Sequence, residues 1–193
     1  MSRYVFDPEE LQEAANLGQG QPVSRRWDLI YDHLRQRHPD HLPRGYRWTF
    51  NTAGNVVCQI ALIYGSPVEY VAFFGTPLGA TGFSGRYPWA DVWDLMVAGT
   101  MRTFIPGQFE PTVYRPGDSA YLPRGMGKGV QYEAHTWMID YARGLPVTML
   151  PFGVLAPWFF VAMDGRAART QLAEYARLTL ANLRGRFAPG TRQ

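Results

Sequence analysis

Asp140 is the residue whose surroundings most strongly suggest chemistry, because it interrupts the apolar run of residues 136–142. A carboxylate on so apolar a strand is costly to ionise, and its pKa rises unless it is paired. Such a carboxyl can donate a proton or, as an anion, hold a ligand ammonium. The alternative is a structural acid bonded to Arg143 or to backbone donors. In an extended strand, one face holds Met138, Asp140 and Ala142 and the other Trp137, Ile139 and Tyr141.

Asp91 and Asp94 are a second candidate pair, within residues 88–99, a stretch that fits either a short helix or a strand. In a helix, the three-residue spacing places both carboxyls on one face. Acids that lie near Asp140 could share a proton with it, which would move their pKa values apart. The alternative is a helix cap or a surface pair, because helix starts often carry acids.

The remaining polar motifs match no catalytic pattern. Ser84 does not lie in a nucleophile elbow, and the glycine-rich residues 75–82 lack the lysine of a phosphate-binding loop. Nor does the sequence show a spaced metal-ligand set among His33, His38, His41 and His135. The sequence therefore predicts neither a metal nor a cofactor.

The composition is that of a globular protein of 193 residues, with 46% hydrophobic and 18% charged residues. The single cysteine, Cys58, excludes an internal disulfide framework and a cysteine-rich zinc site. The net charge of +3 comes without a Lys or Arg block, which argues against a nucleic-acid partner. The N-terminal residues carry early acids and no apolar core, so we expect no signal peptide and a cytoplasmic or peripheral membrane location.

Hydrophobic periodicity predicts helices, then many short strands, then helices, which is an α+β class with a β-barrel or sandwich centre. We expect one domain over residues 1–193, with N-terminal helices in 1–46, a β-barrel core in 47–143 and apolar C-terminal helices in 144–193. Asp7 and Pro8 predict a helix that runs to Leu17, and a second helix fits residues 24–37. Strands are expected at residues 48–50 and 68–74 and in several stretches of 104–141, whereas 56–64 fits a strand or a helix.

Residues 144–163 form a long uncharged stretch, close to the ~20 residues that span a bilayer. Its prolines argue against a clear transmembrane helix. Two alternatives fit the stretch: a buried helix, or a segment that lies on a membrane or under a subunit interface. From Asp164 the helical period returns, and either a membrane surface or simple packing suits this basic amphipathic helix. Its apolar side holds Leu172, Tyr175, Leu178 and Leu183, and its arginines are Arg166, Arg169, Arg177, Arg184 and Arg186.

Several long motifs, in the right order, together resemble the sterol isomerase and sigma non-opioid receptor family. They are EYVAFFGT at residues 69–76, GTPLGATGFSGRYPWADVWDLMVAGT at 75–100, YRPGD at 114–118, HTWMIDYARG at 135–144 and MLPFG at 149–153. Weaker similarity extends back to Tyr4 and forward to about Arg186. The departures are Asp140 for the family's glutamate, Phe83 for a histidine, an inserted Pro88 and no match to the N-terminal transmembrane helix.

The resemblance implies a cupin-like β-barrel flanked by helices, a homotrimer, and C-terminal helices that form an apolar floor against a membrane. It implies that Asp140 holds a ligand ammonium and that Asp94 hydrogen-bonds to Asp140. Asp91 matches the acid of the family's Trp-Ala-Glu segment. The substrate-binding positions expected from the motifs are Tyr70, Phe74, Phe83, Tyr87, Tyr132, Trp137 and Met149.

The predicted function is migration of a double bond in a sterol or other isoprenoid lipid, by protonation and deprotonation through a carbocation. Lipophilic amines would inhibit, because an ammonium resembles that cation. Two alternatives are an isoprenoid cyclase that uses the same proton chemistry and a non-catalytic binder of lipophilic amines or sterols. The expected partners are these lipids, further copies of the chain and a membrane surface.

Overall fold

The computed structural model describes residues 4–185, which include three α-helices. They are α1 (Pro8–Ala15), α2 (Val23–Arg37) and α3 (Gly165–Leu183). The predicted start of α1 is confirmed, since the Asp7 carboxylate accepts a hydrogen bond from the Glu9 amide at 3.0 Å. Asp164 caps α3 in the same way, through the Ala167 amide. Arg186, which we assigned to the basic face of the last helix, lies outside the described residues.

Ten strands lie between α2 and α3 and form two antiparallel sheets that face each other. The first sheet has the order β1-β2-β3-β10-β5-β8 and the second β4-β9-β6-β7. The α+β class is confirmed, and among residues 4–185 the β core is a sandwich of two antiparallel sheets, not a barrel closed by strand pairing. The strands are β1 (Thr49–Asn51), β2 (Cys58–Gly65), β3 (Glu69–Thr76), β4 (Ala80–Phe83), β5 (Ala90–Ala98), β6 (Met101–Phe104), β7 (Thr112–Tyr114), β8 (Ser119–Leu122), β9 (Gly129–Tyr132) and β10 (Thr136–Gly144).

The alternation predicted for β10 places its two faces in different environments. Ile139 and Tyr141 pack with α1 and α2 on the outer face of the large sheet, whereas Met138 packs between the two sheets. Asp140 shares the inner face with Met138. Because β10 pairs with β3 on one side and β5 on the other, this carboxyl is held in the middle of the large sheet.

Residues 88–99 contain a strand, β5, so the helical interpretation of Asp91 and Asp94 is wrong. Pairing with both β10 and β8 satisfies the backbone of β5 on its two sides. In a strand, residues three apart lie on opposite faces of the sheet. The structure therefore separates the two carboxyls that a helix would have brought together.

The N-terminal helices are joined to the large sheet by one buried arginine. Arg26, on α2, is 5% exposed and donates hydrogen bonds to the carbonyl oxygens of Leu17, Ala15 and Val97. These carbonyls belong to the end of α1, the turn after it and strand β5. A single guanidinium therefore satisfies acceptors from three parts of the chain.

Residues 146–162 form an irregular helical segment between β10 and α3. It consists of a 3₁₀ turn (Pro146–Met149) and two π-helical turns (Pro151–Leu155 and Pro157–Ala162). The proline that opens each turn lacks an amide hydrogen and interrupts regular α-helical bonding. No helix within residues 4–185 has the length and apolar character needed to cross a bilayer.

Candidate active site

A cavity of about 150 Å³ lies between the two sheets and is covered on one side by the irregular helical segment. The cavity lining includes Asp140 and Asp94 and six of the predicted substrate-binding residues. These six are Tyr70, Phe74, Phe83, Tyr87, Tyr132 and Met149. The structure thus brings eight of the ten predicted site residues to one apolar space.

Asp140 has one free oxygen that is buried in the cavity wall. Its Oδ2 accepts a hydrogen bond from the Tyr70 hydroxyl at 2.9 Å, whereas its Oδ1 has no partner among residues 4–185. Burial, and then the neighbouring Asp94 charge, raise the pKa of Asp140 to about 7, against the opposing effects of Tyr70 and Lys128. The carboxyl can therefore exist with or without its proton near neutral pH.

Asp94 lies directly opposite Asp140, because β5 and β10 pair in a register that aligns the two residues. Side chains at such paired positions point to the same face, with Cβ atoms about 5 Å apart. The second oxygen of Asp94, Oδ2, forms an ion pair with Lys128 Nζ at 2.8 Å. Of the described residues that line the cavity, Asp94, Asp140 and Lys128 are the charged ones.

Lys128 is a functional candidate that our sequence analysis missed. It directly precedes β9, so the small sheet contributes this cation to acids of the large sheet. The sequence did contain a signal for an unusual role, because Lys128 is its only lysine and all its other Lys or Arg residues are arginines. Its place in the glycine-rich run Gly125–Gly129 gave no indication of the pairing.

Aromatic residues form most of the remaining wall around the acids. The pKa values of the Tyr70, Tyr87 and Tyr132 hydroxyls rise above their usual range, mainly through burial, so these groups stay neutral. The Tyr87 hydroxyl donates to the Ser84 carbonyl at 2.7 Å, and the Phe74 and Tyr132 rings lie 5.9 Å apart. Such faces can stabilise a cation in a space with little water.

Asp91 and Trp137 do not line the cavity, so the structure does not place either with the other candidates. Asp91 accepts hydrogen bonds from Tyr121 and from the Arg124 side chain on the other face of β5. Burial raises the pKa of Asp91, but the Arg124 hydrogen bonds outweigh this and bring it below its ordinary value.

Trp137 lies on the outer face of β10, as the alternation requires. Its ring packs edge-on against Trp27 and Trp48, at centroid distances of 6.5 and 5.9 Å. These contacts belong to the core between the large sheet and the N-terminal helices. The motif match therefore identified a structural tryptophan rather than a cavity residue.

Part of the cavity wall is polar and was not predicted. Asn51 on β1 donates to the Gln171 side-chain oxygen of α3 at 3.1 Å, and Gln171 donates to the Phe50 carbonyl at 2.9 Å. Both side chains line the cavity, with Tyr175 beside them on α3. Within residues 4–185, no three His, Cys, Asp or Glu side chains are grouped so that they could hold a metal ion.

The fold and cavity define a class of protein in which a two-sheet core encloses an apolar site around two carboxyl groups. A protein-family model described as "ERG2 and Sigma1 receptor like protein" matches residues 1–186. The chain belongs to this family, and the resemblance found in the motifs is confirmed.

Curated relatives include both named branches of the family. The chain is 35% identical over 164 residues to Sigma non-opioid intracellular receptor 1 of Gallus gallus, covering 84% of this chain and 73% of that protein. It is 33% identical over 159 residues to the Protein erg2 homolog of Dictyostelium discoideum, covering 82% and 67%. It is 36% identical over 154 residues to the C-8 sterol isomerase erg2 of Aspergillus fumigatus, covering 78% and 64%.

Similar solved structures include KdgF from Halomonas sp. and an RmlC-like cupin from Shewanella frigidimarina. The first has a TM-score of 0.39 and 19% identity, covering 45% of this chain and 80% of that chain. The second has a TM-score of 0.40 and 17% identity, covering 45% and 76%.

Proposed function

We propose that the protein is an isomerase that moves a carbon–carbon double bond in a sterol or other isoprenoid lipid. The observation that carries this proposal is that Asp140 lines an apolar cavity and that its buried Oδ1 has no hydrogen-bond partner among residues 4–185. A protonated carboxyl in such a place can give its proton to a substrate carbon. The relative named C-8 sterol isomerase erg2 supports the same reaction class.

In the proposed reaction, Asp140 transfers its proton to one alkene carbon, so a C–H bond forms and the carboxyl O–H bond breaks. The neighbouring carbon becomes a carbocation. Both carboxylates, Asp140 and Asp94, and the faces of Phe74 and Tyr132 stabilise this charge. A carboxylate then removes a proton from the adjacent carbon, and that electron pair forms the shifted double bond. Proton number and charge are therefore unchanged at the end.

The size of the cavity limits the substrate. A space of about 150 Å³ is similar to an engineered protein cavity that holds one benzene ring. A four-ring sterol therefore needs displacement of the irregular helical segment, whose Met149 and Phe152 line the cavity. A short isoprenoid chain requires a smaller displacement, and we propose that both substrate types be tested.

Deuterium incorporation from heavy water tests the reaction directly. Wild-type protein is incubated with candidate sterol and isoprenoid alkenes, and the products are analysed by mass spectrometry and NMR. We expect Asp140→Asn to incorporate no deuterium and Asp91→Asn, a matched change outside the cavity, to retain wild-type exchange. Retained turnover in Asp140→Asn would refute the role of this residue. A ring-closed product would instead identify a cyclase.

A second candidate function is the binding of lipophilic amines without turnover. It is favoured by the same carboxyl, which as an anion can pair with an ammonium, and by relatives named as sigma non-opioid receptors. Calorimetry with a lipophilic tertiary amine distinguishes the two functions when it is combined with the exchange assay. Stoichiometric binding that is lost in Asp140→Asn, without exchange into any alkene, supports the binder.

We also propose contact with a membrane surface and assembly into a homotrimer, both of which the family resemblance implies. The end of the irregular helical segment and the residue after it support the membrane contact, because Phe159, Phe160, Val161 and Met163 are 60%, 86%, 62% and 84% exposed. A continuous apolar surface of this kind often marks an interface. Light scattering gives the mass of the assembly in solution, and a monomeric mass at all concentrations would refute the trimer.

A further inference from the structure

The Lys128 ammonium is buried at a position where most proteins avoid a charge. The residue is 6% exposed, and it is the only lysine in a sequence that otherwise uses arginine. Burial of an ammonium is costly unless the charge is paired. Its partner is Asp94, at 2.8 Å; Asp94 lies on β5 of the large sheet, and Lys128 directly precedes β9 of the small sheet. Because the pair is buried, solvation by surface water does not explain why these two charges are present.

One cation faces two acids in this cavity. The charged groups are Lys128 before β9, Asp94 on β5 and Asp140 on β10. The other titratable groups near Asp140 are hydroxyls and a thiol, and burial raises the pKa of each so that it stays neutral. They are Tyr70 on β3, Tyr87 before β5, Tyr132 on β9 and Cys58 on β2. A neutral charge balance therefore requires one proton on the two carboxyls.

We infer that Lys128 is a positioning residue, which holds Asp94 as a carboxylate and thereby assigns the single proton of the pair to Asp140. The contacts of the two acids carry the argument. Asp94 Oδ2 touches a full positive charge, which favours its ionised form. Asp140 accepts a hydrogen bond from the neutral Tyr70 hydroxyl, a weaker interaction that also favours the ionised form. The Lys128 charge acts on Asp140 in the same direction, but its ion pair is with Asp94. The stronger of the two interactions keeps the proton away from Asp94.

This assignment rests on the proposed function for its catalytic meaning. The proton lies on the cavity-lining carboxyl whose Oδ1 has no partner among the described residues, so a neutral alkene meets an acid. After transfer, the Asp94 carboxylate is already in place beside the carbocation and has no proton to lose. A ligand that arrives as a cation meets the Lys128 charge as well, so Lys128 also favours neutral substrates over ammonium ions.

Carboxyl NMR tests the assignment without any substrate. Protein labelled with ¹³C at the aspartate carboxyl carbons is titrated from pH 5 to pH 9, with Asp94→Asn and Asp140→Asn used to assign the two signals. We expect the Asp140 signal to titrate near pH 7 in the wild type, while the Asp94 signal stays that of a carboxylate. In Lys128→Met, we expect the two carboxyl signals to change together with pH, because the cation that distinguishes Asp94 from Asp140 is gone.

The charge-conserving variant Lys128→Arg provides the matched control and should restore the wild-type pattern. Unchanged Asp94 and Asp140 signals in a folded Lys128→Met would overturn the inference. A protonated Asp94 beside an ionised Asp140 in the wild type would overturn it as well.

The single lysine supplies a second measurement that does not depend on the stability of Lys128→Met. In protein labelled with ¹³C only in lysine, the Lys128 Cε signal is alone in the spectrum. We expect it to shift near pH 7 in the wild type, as Asp140 ionises, and to show no such step in Asp140→Asn. A step that persists in Asp140→Asn would contradict the shared charge system.

The outcomes separate this inference from the proposed function. If the carboxyl signals behave as expected but no alkene exchanges deuterium, the inference stands and the isomerase proposal fails. If exchange occurs and the proton lies on Asp94, the inference alone fails. In an active enzyme we also expect Lys128→Met to lower kcat and change its pH profile, with Lys128→Arg restoring that profile.

Discussion

Replacement of Asp140 by Asn is expected to stabilise the protein at alkaline pH, although it removes the proposed acid. Burial and the Asp94 charge raise the pKa of this carboxyl from 3.8 to about 7. Between these values the folded state binds a proton that the unfolded chain has lost, so stability falls as pH rises. At about 1.4 kcal/mol per pH unit, the penalty reaches about 4 kcal/mol above pH 7.

Asparagine carries no such penalty and keeps an oxygen that can accept from Tyr70. The free energy of unfolding of Asp140→Asn, relative to the wild type, should therefore be about 2–3 kcal/mol higher at pH 8 than at pH 5. Urea unfolding at both pH values measures this difference. Asp91→Asn is the control without a pH effect, because the lowered pKa keeps Asp91 ionised in both the folded and the unfolded state from pH 5 to pH 8. A pH-independent difference for Asp140→Asn would refute the buried, proton-binding carboxyl.

Three further predictions concern other parts of the molecule. Tyr70→Phe removes a hydrogen-bond donor that favours ionised Asp140. In calorimetry, the pH at which amine binding is half-maximal should therefore rise by about one unit, whereas Tyr121→Phe should leave it unchanged. A fall in that pH would contradict the contact. Arg26→Met leaves buried carbonyls without a donor, and urea unfolding should show a loss of at least about 3 kcal/mol, against little change for the exposed Arg25→Met. Phe159→Ser with Phe160→Ser should weaken lipid-vesicle binding in sedimentation more than about tenfold, whereas the exposed Phe109→Ser should not; equal losses would argue against a specific membrane face.

The elements that could be predicted from the sequence are those with local physical signals. Asp7 before Pro8 identified the start of α1, because the capping carboxylate and the fixed proline dihedral act within one turn. The alternation in β10 correctly assigned its two faces. Both signals depend on nearest neighbours along the chain, which the sequence states directly.

The features that were missed depend on contacts between distant strands. Asp91 and Asp94 were wrongly grouped because the nine apolar and acidic residues of β5 fit both a helical and a strand period. Only the pairing of β5 with β8 and β10 decides that the segment is a strand. Lys128 lies 34 residues from Asp94 in the sequence. Their contact forms only when the small sheet closes over the large one, and no local pattern predicts that distance.

The placement of the only lysine also determines how the folded protein responds to amine-reactive reagents. Apart from the α-amino group, an acylating reagent finds a single ε-amine, and that amine lies in the cavity wall. Acylation at Lys128 therefore requires a local opening that separates the two sheets or moves the irregular helical segment. The rate of Lys128 acylation therefore reports how often the cavity opens, and a bound ligand that holds the cavity closed should lower this rate.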